Sequence, residues 1–466
     1  MIKEKLVFRT RIEAPATEVF NWHTQEGAFE RLTPPWEKVE VVERKGGIEN
    51  GAITKLSVHM GPFKKLWVAR HLNYIEGRQF ADQQEQGPFA YWLHTHQMLP
   101  TDNIENATSS YLQDSIDYQL PLGWLGKIVA GSMVRNKINK MFAYRHFVTA
   151  QDIVAHQNYR NTFAKSGAKI AITGASGLIG SGLTAFLKSG GHQVYKLVRN
   201  QADSSKKEIF WQPSSKILNP KDLEGIDVVI HLAGENIAAS RWTDMQKARI
   251  RDSRVETTKF LADTLAKLDN PPRVLISASA IGYYGDRGTE ILREESPKGT
   301  GFLSEVSQQW EAATQVATER GIRVVHLRNG IVLSPQGGAL AKMLLPFKLG
   351  IGGQFGNGDQ YMSWIAIDDV IGAIYHIMAN EEITGAVNLV SPNPVTNQEF
   401  TKILGKVLFR PTIFPLPAFI AKLALGEMAN DLLFSSARVH PGKLLANNYN
   451  FRHPDLEATL CHLLGK

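Results

Sequence analysis

The chain has 466 residues, which is more than one hydrophobic core usually supports, and its length predicts two or three domains. Hydrophobic residues make up 43% and charged residues 21% of the chain, a composition that excludes an intrinsically disordered protein. The formal net charge of +7 suits anionic ligands, but Lys and Arg are dispersed and no nucleic-acid-binding motif is present, so we expect no nucleic-acid partner.

Three features of the sequence bear on the compartment. Cys461 is the only cysteine, so the chain forms no internal disulfide, as is usual in a reducing compartment. The beginning, "MIKEKLVFRTRIEAP", lacks the apolar core of a signal peptide. The apolar stretch "IFPLPAFIAKLALG" is too short to span a bilayer and contains Lys422. We expect a cytoplasmic protein without integral membrane association.

Residues 1–150 have mostly strand-like patterns. In "KLVFRTRIEA" alternate residues, from Leu6 to Ile12, share one face, and similar segments follow between turn-forming glycines. Gly87-Pro88 marks a hairpin turn. After Pro121, apolar residues recur at near-helical spacing through about Phe147. These patterns predict an antiparallel sheet followed by one long helix.

The order of these elements, together with "IEAPATEVFNWHTQEGAFERLTPPW", resembles the helix-grip superfamily of polyketide cyclases, lipid-transfer START domains and the birch pollen allergen. In that superfamily a sheet curls around the long helix and encloses an apolar cavity. The resemblance therefore implies an α+β domain that holds a hydrophobic small molecule.

Histidines in this region raise the question of a metal site. His94 and His96 would share one strand face, but no compact two-plus-two ligand pattern accompanies them, and histidines that face solvent or the cavity explain them as well. We predict no metal site.

Residues 151–167 are polar and lack clear periodicity, which predicts a linker. The predicted organisation is a helix-grip domain over 1–150, this linker, a Rossmann-like NADP-binding domain over 168–390 and a helical lobe over 391–466.

The stretch "KIAITGASGLIG" combines an apolar strand, a glycine-rich turn and the start of a helix. Gly174 allows the tight turn, Gly177 lets the backbone approach a pyrophosphate, and Gly180 lets helix and strand pack closely. The exposed N–H groups and the helix N-terminus would bind the anion. This fingerprint predicts a dinucleotide site.

Further apolar strands alternate with helical stretches after the fingerprint, namely "HQVYKLV", "DVVIHLAG", "RVLISASA" and "IRVVHLR". Such alternation predicts an α/β, Rossmann-like, doubly wound parallel sheet. Arg199 stands where an NAD-preferring site usually offers an acidic residue to the ribose, and its side chain could pair with a 2′-phosphate. This favours NADP over NAD, although a solvated loop arginine remains the alternative.

Residues 169–466 resemble the short-chain dehydrogenase/reductase superfamily, and within it the atypical, NAD-dependent epimerase-like branch of largely uncharacterised oxidoreductases. The stretches that carry the resemblance include "TGASGLIG", "HLAGENIAASRWT", "SASAIGYYG" and the C-terminal "GEMANDLLFSSARVHPGKLLANNYNFRHPDLEATL". The fingerprint and this resemblance together assign the cofactor-binding residues Gly174, Ala175, Ser176, Gly177, Leu178, Ile179, Gly180, Arg199, Leu232, Ala233, Gly234, Glu235, Arg241, Ile331 and Val332.

The proton-transfer pair of ordinary members, Tyr-x-x-x-Lys, is absent. In the corresponding "GTGFLSEVSQQWEAAT", aligned through Glu311, Leu303 takes the Tyr position and Ser307 the Lys position, and neither can do that acid–base work.

The remaining catalytic candidates lie after the fourth strand of the Rossmann-like domain. They are Ser279, where a Ser or Thr normally hydrogen-bonds the reacting oxygen, and Tyr283 and Tyr284, either of which could replace the missing acid. Alternatively, "GYYG" only shapes a loop beside the substrate. Asp286 and Glu305 are possible bases, but exposed carboxylates are commoner.

Three functions remain open. The first is an NADP-dependent oxidoreductase or epimerase-like enzyme acting on an unidentified, possibly apolar, small molecule. The second is a noncatalytic, NADP-responsive binding protein, and the third is a lipid-binding or transfer protein with a regulatory nucleotide domain. The missing dyad favours the last two, whereas Ser279 and the adjoining tyrosines favour the first.

Overall fold

We analysed a computed structural model of the chain, which describes residues 3–61, 63–101, 107–164 and 166–466. The chain divides into two compact units, with the main boundary between Arg160 and Asn161. Among the described residues, none of the helices combines the length and apolarity that crossing a bilayer requires.

The first unit contains a seven-stranded antiparallel sheet in the order β1-β7-β6-β5-β4-β3-β2. Its strands are β1 (Glu4–Ile12), β2 (Val39–Lys45), β3 (Ile53–Met60), β4 (Phe63–Ile75), β5 (Gln79–Gln86), β6 (Tyr91–Pro100) and β7 (Ser110–Gln119). Its helices are α1 (Ala16–Thr24), α2 (Ala28–Leu32) and α3 (Trp124–Asn158).

Alternation along the strands decides which side chains face the interior. In β1 the residues with even numbers are the more buried ones, as the sequence predicts, and in β6 the buried residues are Trp92, His94, His96 and Met98. The three helices pack on the same interior, α1 through Phe20 and Trp22, α2 through Ala28 and α3 through Ile153. The predicted antiparallel sheet and long helix are confirmed.

The predicted linker over 151–167 is wrong in its first half, because α3 continues to Asn158. Asp152 is fully buried and its carboxylate accepts hydrogen bonds from Arg31, with the Arg31 Nε–Asp152 Oδ2 distance at 2.7 Å. Ile153 packs in the core of the same unit. The ion pair with Arg31 therefore allows the polar Asp152 to be buried in α3. Because Asp152 is polar, it interrupts the apolar periodicity by which a helix is predicted from sequence.

The second unit contains an eight-stranded sheet in the order β11-β10-β9-β8-β12-β13-β15-β19. Every pairing in it is parallel except that of the edge strand β11. These strands are β8 (Lys169–Thr173), β9 (Gln193–Val198), β10 (Glu208–Gln212), β11 (Ile217–Leu218), β12 (Val228–His231), β13 (Val274–Ala280), β15 (Arg323–Asn329) and β19 (Gly385–Leu389). The predicted doubly wound parallel sheet is confirmed.

Short strands form three pairs outside this sheet: β14 (Ile291–Leu292) with β21 (Arg438–Val439), β16 (Ile331–Leu333) with β18 (Trp364–Ala366), and β17 (Tyr361–Met362) with β20 (Val395–Thr396). The helices are α4 (Leu178–Ser189), α5 (Asp244–Asp252), α6 (Val255–Leu265), α7 (Phe302–Ala312), α8 (Gln315–Glu319), α9 (Gly338–Lys348), α10 (Ile367–Ala379), α11 (Asn397–Leu408), α12 (Ala418–Leu425), α13 (Glu427–Ala429), α14 (Gly442–Ala446) and α15 (Leu456–Leu464). A π-helical turn spans Asn430–Phe434.

The C-terminal residues share a core with earlier segments of this unit. Phe400 and Leu404 of α11 and Leu460 of α15 pack in one cluster with Leu333 and Trp364. The region 391–466 is therefore not packed around a core of its own.

Candidate cofactor and substrate site

The glycine-rich turn lies between β8 and α4, at the point where the sheet order reverses. Gly174 has φ 68°, and a Cβ there would lie 2.9 Å from the carbonyl carbon of Leu232. A Cβ at Gly180 would lie 2.2 Å from the carbonyl oxygen of Gly174. Both positions therefore require glycine. The helix begins at Leu178 directly after this turn, which provides the N-terminal N–H groups that bind a phosphate.

Within the turn, the predicted cofactor residues divide by exposure. Ser176 and Gly177 are exposed, Ala175 and Gly180 are buried, and Leu178 and Ile179 are intermediate. The tip at Ser176 and Gly177 is therefore where a pyrophosphate can approach the backbone, and the Gly177 N–H donates to the carbonyl oxygen of Gly174 at 2.9 Å, which closes the turn. The residues present fit a dinucleotide.

Thr173 joins the ends of the two strands on either side of the crevice. Its hydroxyl oxygen accepts hydrogen bonds from the N–H groups of Leu232 and Ala233, at 3.1 and 3.2 Å. The same oxygen lies 2.7 Å from Nδ1 of His231, whose pKa is lowered by burial to about 4. The His231 imidazole is therefore neutral, and its Nδ1 accepts a hydrogen bond from the Thr173 hydroxyl group. Sequence reasoning missed Thr173 and His231, because their pairing depends on the register of β8 with β12.

Arg254 lies beside the second loop of the predicted site. Its Nη2 donates to the carbonyl oxygen of Glu235 at 3.0 Å and its Nη1 to that of Ile250 at 3.0 Å. A Cβ at Gly234 would lie 3.5 Å from the guanidinium carbon. Burial lowers the pKa of Arg254 to about 10. Sequence reasoning did not select this cation, although "DSRVETT" contains it.

The other predicted cofactor residues come from separate segments. Arg199 is exposed and follows β9, at the carboxyl edge of the strand next to β8. Ile331 and Val332 lie in β16, and the loop after β16 returns to the glycine-rich turn, where a Cβ at Gly337 would lie 3.3 Å from Leu178. Arg241 lies beside Gly426, the residue between α12 and α13. A Cβ at Gly426 would lie 3.1 Å from Nε of Arg241.

Of the three predicted catalytic residues, Ser279 and Tyr284 are held by one buried ion pair. The guanidinium of Arg328 donates to both carboxylate oxygens of Glu311, at 2.8 and 2.9 Å. The Ser279 hydroxyl donates to the same carboxylate at 2.7 Å. The Tyr284 hydroxyl accepts from Arg328 at 2.9 Å and donates to Asn388 Oδ1 at 2.7 Å.

These bonds limit what the two hydroxyl groups can do. Tyr284 is fully buried, and burial raises its pKa to about 12. The hydroxyl proton of Ser279 is used by Glu311, which leaves the Ser279 oxygen as an acceptor. Tyr283 is partly exposed, and its ring lies 3.6 Å from the guanidinium carbon of Arg328. Of the two tyrosines, Tyr283 is thus the one whose side chain is partly exposed.

The positions of the missing dyad are filled by packing. Ser307 is buried in α7, and a Cβ at Gly282 would lie 3.1 Å from Cβ of Leu303. Leu303 packs in an apolar cluster that spans the loop after β12, α7 and the C-terminal segment. The cluster consists of Trp242, Ile250 and Met428 with Ile237, Ala238, Phe302, Leu303, Leu425 and Leu432.

Comparisons with known proteins agree with this geometry. The NAD dependent epimerase/dehydratase family model matches residues 170–389. An epimerase family protein of Mycobacterium bovis is 41% identical over 288 residues, which are 62% of this chain and 95% of the relative. The chain belongs to the NAD-dependent epimerase/dehydratase family.

Two further family models match other parts of this epimerase-family chain. Residues 12–142 match the polyketide cyclase/dehydrase and lipid transport family, and residues 416–463 match a domain of unknown function. The predicted resemblances to the epimerase-like branch and to the polyketide-cyclase and START-like superfamily are therefore confirmed.

Two crystal structures extend the comparison of the epimerase-family chain. A nucleoside-diphosphate sugar epimerase from Corynebacterium glutamicum is 35% identical, with a TM-score of 0.80 over 99% of this chain and 90% of that one. The human epimerase family protein SDR39U1, solved with NADPH, is 32% identical, with a TM-score of 0.59 over 63% of this chain and 98% of that one. Family membership thus gives the chain an NAD(P)-dependent, epimerase-like function with a small-molecule substrate.

Proposed function

We propose that residues 169–466 bind NADP(H) and use it in hydride exchange with an apolar small molecule. The observation that carries the proposal is the apolar cluster around Leu303, which occupies the region where ordinary members place their proton-transfer tyrosine. NADPH in the human relative's structure supports the choice of cofactor, as does Arg199 at the carboxyl edge of β9.

The character of the cluster argues against a sugar substrate. Sugar hydroxyl groups that are placed against apolar side chains lose hydrogen bonds to water without replacement, at a cost of roughly 1–3 kcal/mol each. Trp242, Met428 and Leu432 belong to the same apolar cluster as Leu303, which favours a substrate with an apolar surface. This observation favours an oxidoreductase over a sugar epimerase.

The chain's own residues are assigned three roles. Gly174 and Gly180 shape the turn, and the backbone at Gly177 is where the pyrophosphate approaches. A nicotinamide cofactor, when bound, supplies the hydride chemistry. Tyr283 is the proposed acid, and Arg328 with Glu311 positions its ring.

The choice of cofactor is tested by titrating the full chain with NADPH and, separately, with NADH in a calorimeter. We expect micromolar NADPH affinity, and absence of binding by either nucleotide would overturn the proposal. Turnover is then measured as loss of nicotinamide absorbance with a panel of apolar aldehydes, ketones and quinones. Tyr283→Phe should abolish turnover and leave NADPH affinity unchanged, since the phenol lies outside the glycine-rich turn.

A second candidate function is a noncatalytic, NADP-responsive binding protein. The packed Leu303 and the buried Ser307 favour it, because neither position offers a proton-transfer group. It predicts NADPH binding without turnover of any member of the panel, and the same rates for wild type and Tyr283→Phe.

For the first unit, we propose a hydrophobic small-molecule ligand, in keeping with the lipid-transport family that it matches. Mass spectrometry of small molecules that co-purify with the full chain tests this. A purified chain that carries no apolar molecule, and that binds none from a lipid extract, would contradict the proposal.

A further inference from the structure

The interior of the antiparallel-sheet domain contains a cluster of imidazole and carboxylate groups. Aromatic rings surround it: Phe80 stacks on His96 at 4.2 Å between ring centres, and Phe142 lies edge-on to His94 at 5.0 Å. The cluster is buried, with exposed fractions of 3% for His94, 7% for His96 and 3% for Asp114. Its members are Asp82, His94, His96 and Asp114 on three adjacent strands, with His146 from α3.

Strand register brings the charged members together. The pairing of β5 with β6 places Asp82 opposite His94, and the pairing of β6 with β7 places His96 opposite Asp114. Oδ2 of Asp82 lies 3.0 Å from Nδ1 of His94 and 4.0 Å from Nε2 of His96. One atom from each of these three residues thus lies within 4.8 Å of the others, which is the spacing that a single ion can bridge.

Asp114 lies on the other side of both rings. One of its oxygens, Oδ1, is 3.1 Å from Nε2 of His94 and 2.7 Å from Nδ1 of His96. Each ring therefore turns one nitrogen toward Asp114 and the other toward Asp82. The His94 contact is a hydrogen bond, whereas the His96 contact has the distance but not the angle of one. When the nitrogens near Asp114 carry the protons, those near Asp82 carry lone pairs and are metal ligands.

Asp114 is itself held in place from a fourth element. Its second oxygen lies 2.7 Å from Nε2 of His146, whose Nδ1 lies 2.8 Å from the Thr10 hydroxyl. A carboxylate that hydrogen-bonds to a ligand imidazole, and is itself held by another residue, is the second layer found around protein metal sites. This arrangement is independent of the proximity of Asp82 to the two histidines.

The charges also favour a divalent cation. Two carboxylates, Asp82 and Asp114, lie in an aromatic interior, where the neighbouring histidines are the partners of their negative charges. A divalent ion offsets both and keeps the imidazoles neutral. The other groups that face this interior are His23, His71, His146 and Arg145. Arg145 donates to the carbonyl oxygen of Leu32 at 3.2 Å.

We propose that Asp82, His94 and His96 bind a divalent first-row transition-metal ion inside the antiparallel-sheet domain, with Asp114 as the carboxylate that contacts both imidazoles and hydrogen-bonds to that of His94. Two imidazoles and one carboxylate suit Zn²⁺, Fe²⁺ or Co²⁺ and leave coordination positions open to water or to a ligand. The sequence shows no compact two-plus-two ligand pattern around His94 and His96, because the carboxylates that meet them belong to the neighbouring strands.

The test uses the full chain without an affinity tag, stripped with a chelator and titrated with Co²⁺ alone by calorimetry and visible absorption. We expect about one equivalent of Co²⁺ and the absorption of a nitrogen- and oxygen-ligated ion. Wild type that binds no Co²⁺, and equally no Zn²⁺ in a parallel titration, would overturn the proposal.

Variants locate the ion. Asp82→Asn and His96→Gln should remove the bound equivalent, and Asp114→Asn should weaken binding by roughly 10–100-fold. Asp82 is 18% exposed, so its variant is expected to fold even where His96→Gln does not. His59→Gln, on β3 of the same sheet, is the matched control and should bind as wild type does.

A second group of possible ligands, Asp368, His453 and His462, lies in the other unit. If His453→Gln removes the equivalent and Asp82→Asn does not, the ion binds there and the proposal is wrong. Unchanged Co²⁺ binding by folded Asp82→Asn would also contradict it. NADPH titration of each variant is a separate readout, because the proposed metal site contains no cofactor-binding residue.

Discussion

Two regions at the carboxyl edge of the same parallel sheet have diverged differently from the ordinary pattern of their superfamily. The glycine-rich turn retains the backbone features that a dinucleotide needs, since Gly174 and Gly180 have no room for a Cβ. The two proton-transfer positions have neither the Tyr nor the Lys of the ordinary dyad. Their residues, Leu303 and Ser307, are packed into the protein. The backbone geometry for a dinucleotide is therefore present without the side-chain dyad, and family membership predicts the first better than the second.

The largest expected effect concerns the buried ion pair beside the proton-transfer position. Glu311→Gln leaves the Arg328 guanidinium, 4% exposed, without its counter-charge, and should lower the free energy of unfolding by about 3–5 kcal/mol. Glu305→Gln, on the same helix, breaks an exposed pair with Lys298 and should cost at most about 1 kcal/mol. Equal urea midpoints for the two variants would show that the ion pair does not stabilise this region.

The next effect concerns the histidine beside the glycine-rich turn. The pKa of His231 is about 4 in the folded chain and about 6.5 in an unfolded one. Between these pH values the unfolded state binds a proton that the folded state excludes, so stability falls as pH drops from about 6.5 to about 4. Over this pH range the free energy of unfolding of His231→Asn should fall less than that of wild type, by up to about 3 kcal/mol. Parallel stability curves from urea unfolding would contradict this.

A third experiment tests whether the turn depends on its backbone. Gly180→Ala places a Cβ 2.2 Å from the Gly174 carbonyl oxygen and should weaken NADPH binding by roughly 100-fold, since the helix must shift. Gly131→Ala on α3 is the matched control, because its Cβ would meet Lys127 at an ordinary 3.4 Å. If calorimetric titration gives equal NADPH affinities for the two variants, the turn is not part of the cofactor site.

The smallest effect concerns cofactor choice. Arg199→Ala should weaken NADPH binding by about tenfold and leave NADH binding unchanged, because only NADPH carries a 2′-phosphate. Arg320→Ala is the control, since this exposed arginine precedes β15 and lies near the opposite edge of the sheet. Equal losses for both nucleotides would argue against the 2′-phosphate contact.

Sequence reasoning succeeded where the signal is local. The alternation in β1, the glycine spacing and the succession of strands and helices each lie within a few residues, and the corresponding elements are present. It failed where partners are distant in sequence. Asp152 pairs with Arg31 from another helix, and so α3 extends into the predicted linker. Ser279 and Tyr284 share the Glu311–Arg328 pair, which no spacing reveals.

By itself, the sequence determined the two kinds of domain and the backbone of the dinucleotide turn, because periodicity and glycine placement act through local geometry. Only the tertiary structure decided which hydroxyl groups are hydrogen-bonded within the protein and which carboxylates contact the buried histidines. Those contacts depend on strand register and helix packing: β5, β6 and β7 bring Asp82, His96 and Asp114 together, and β15 brings Arg328 to Glu311.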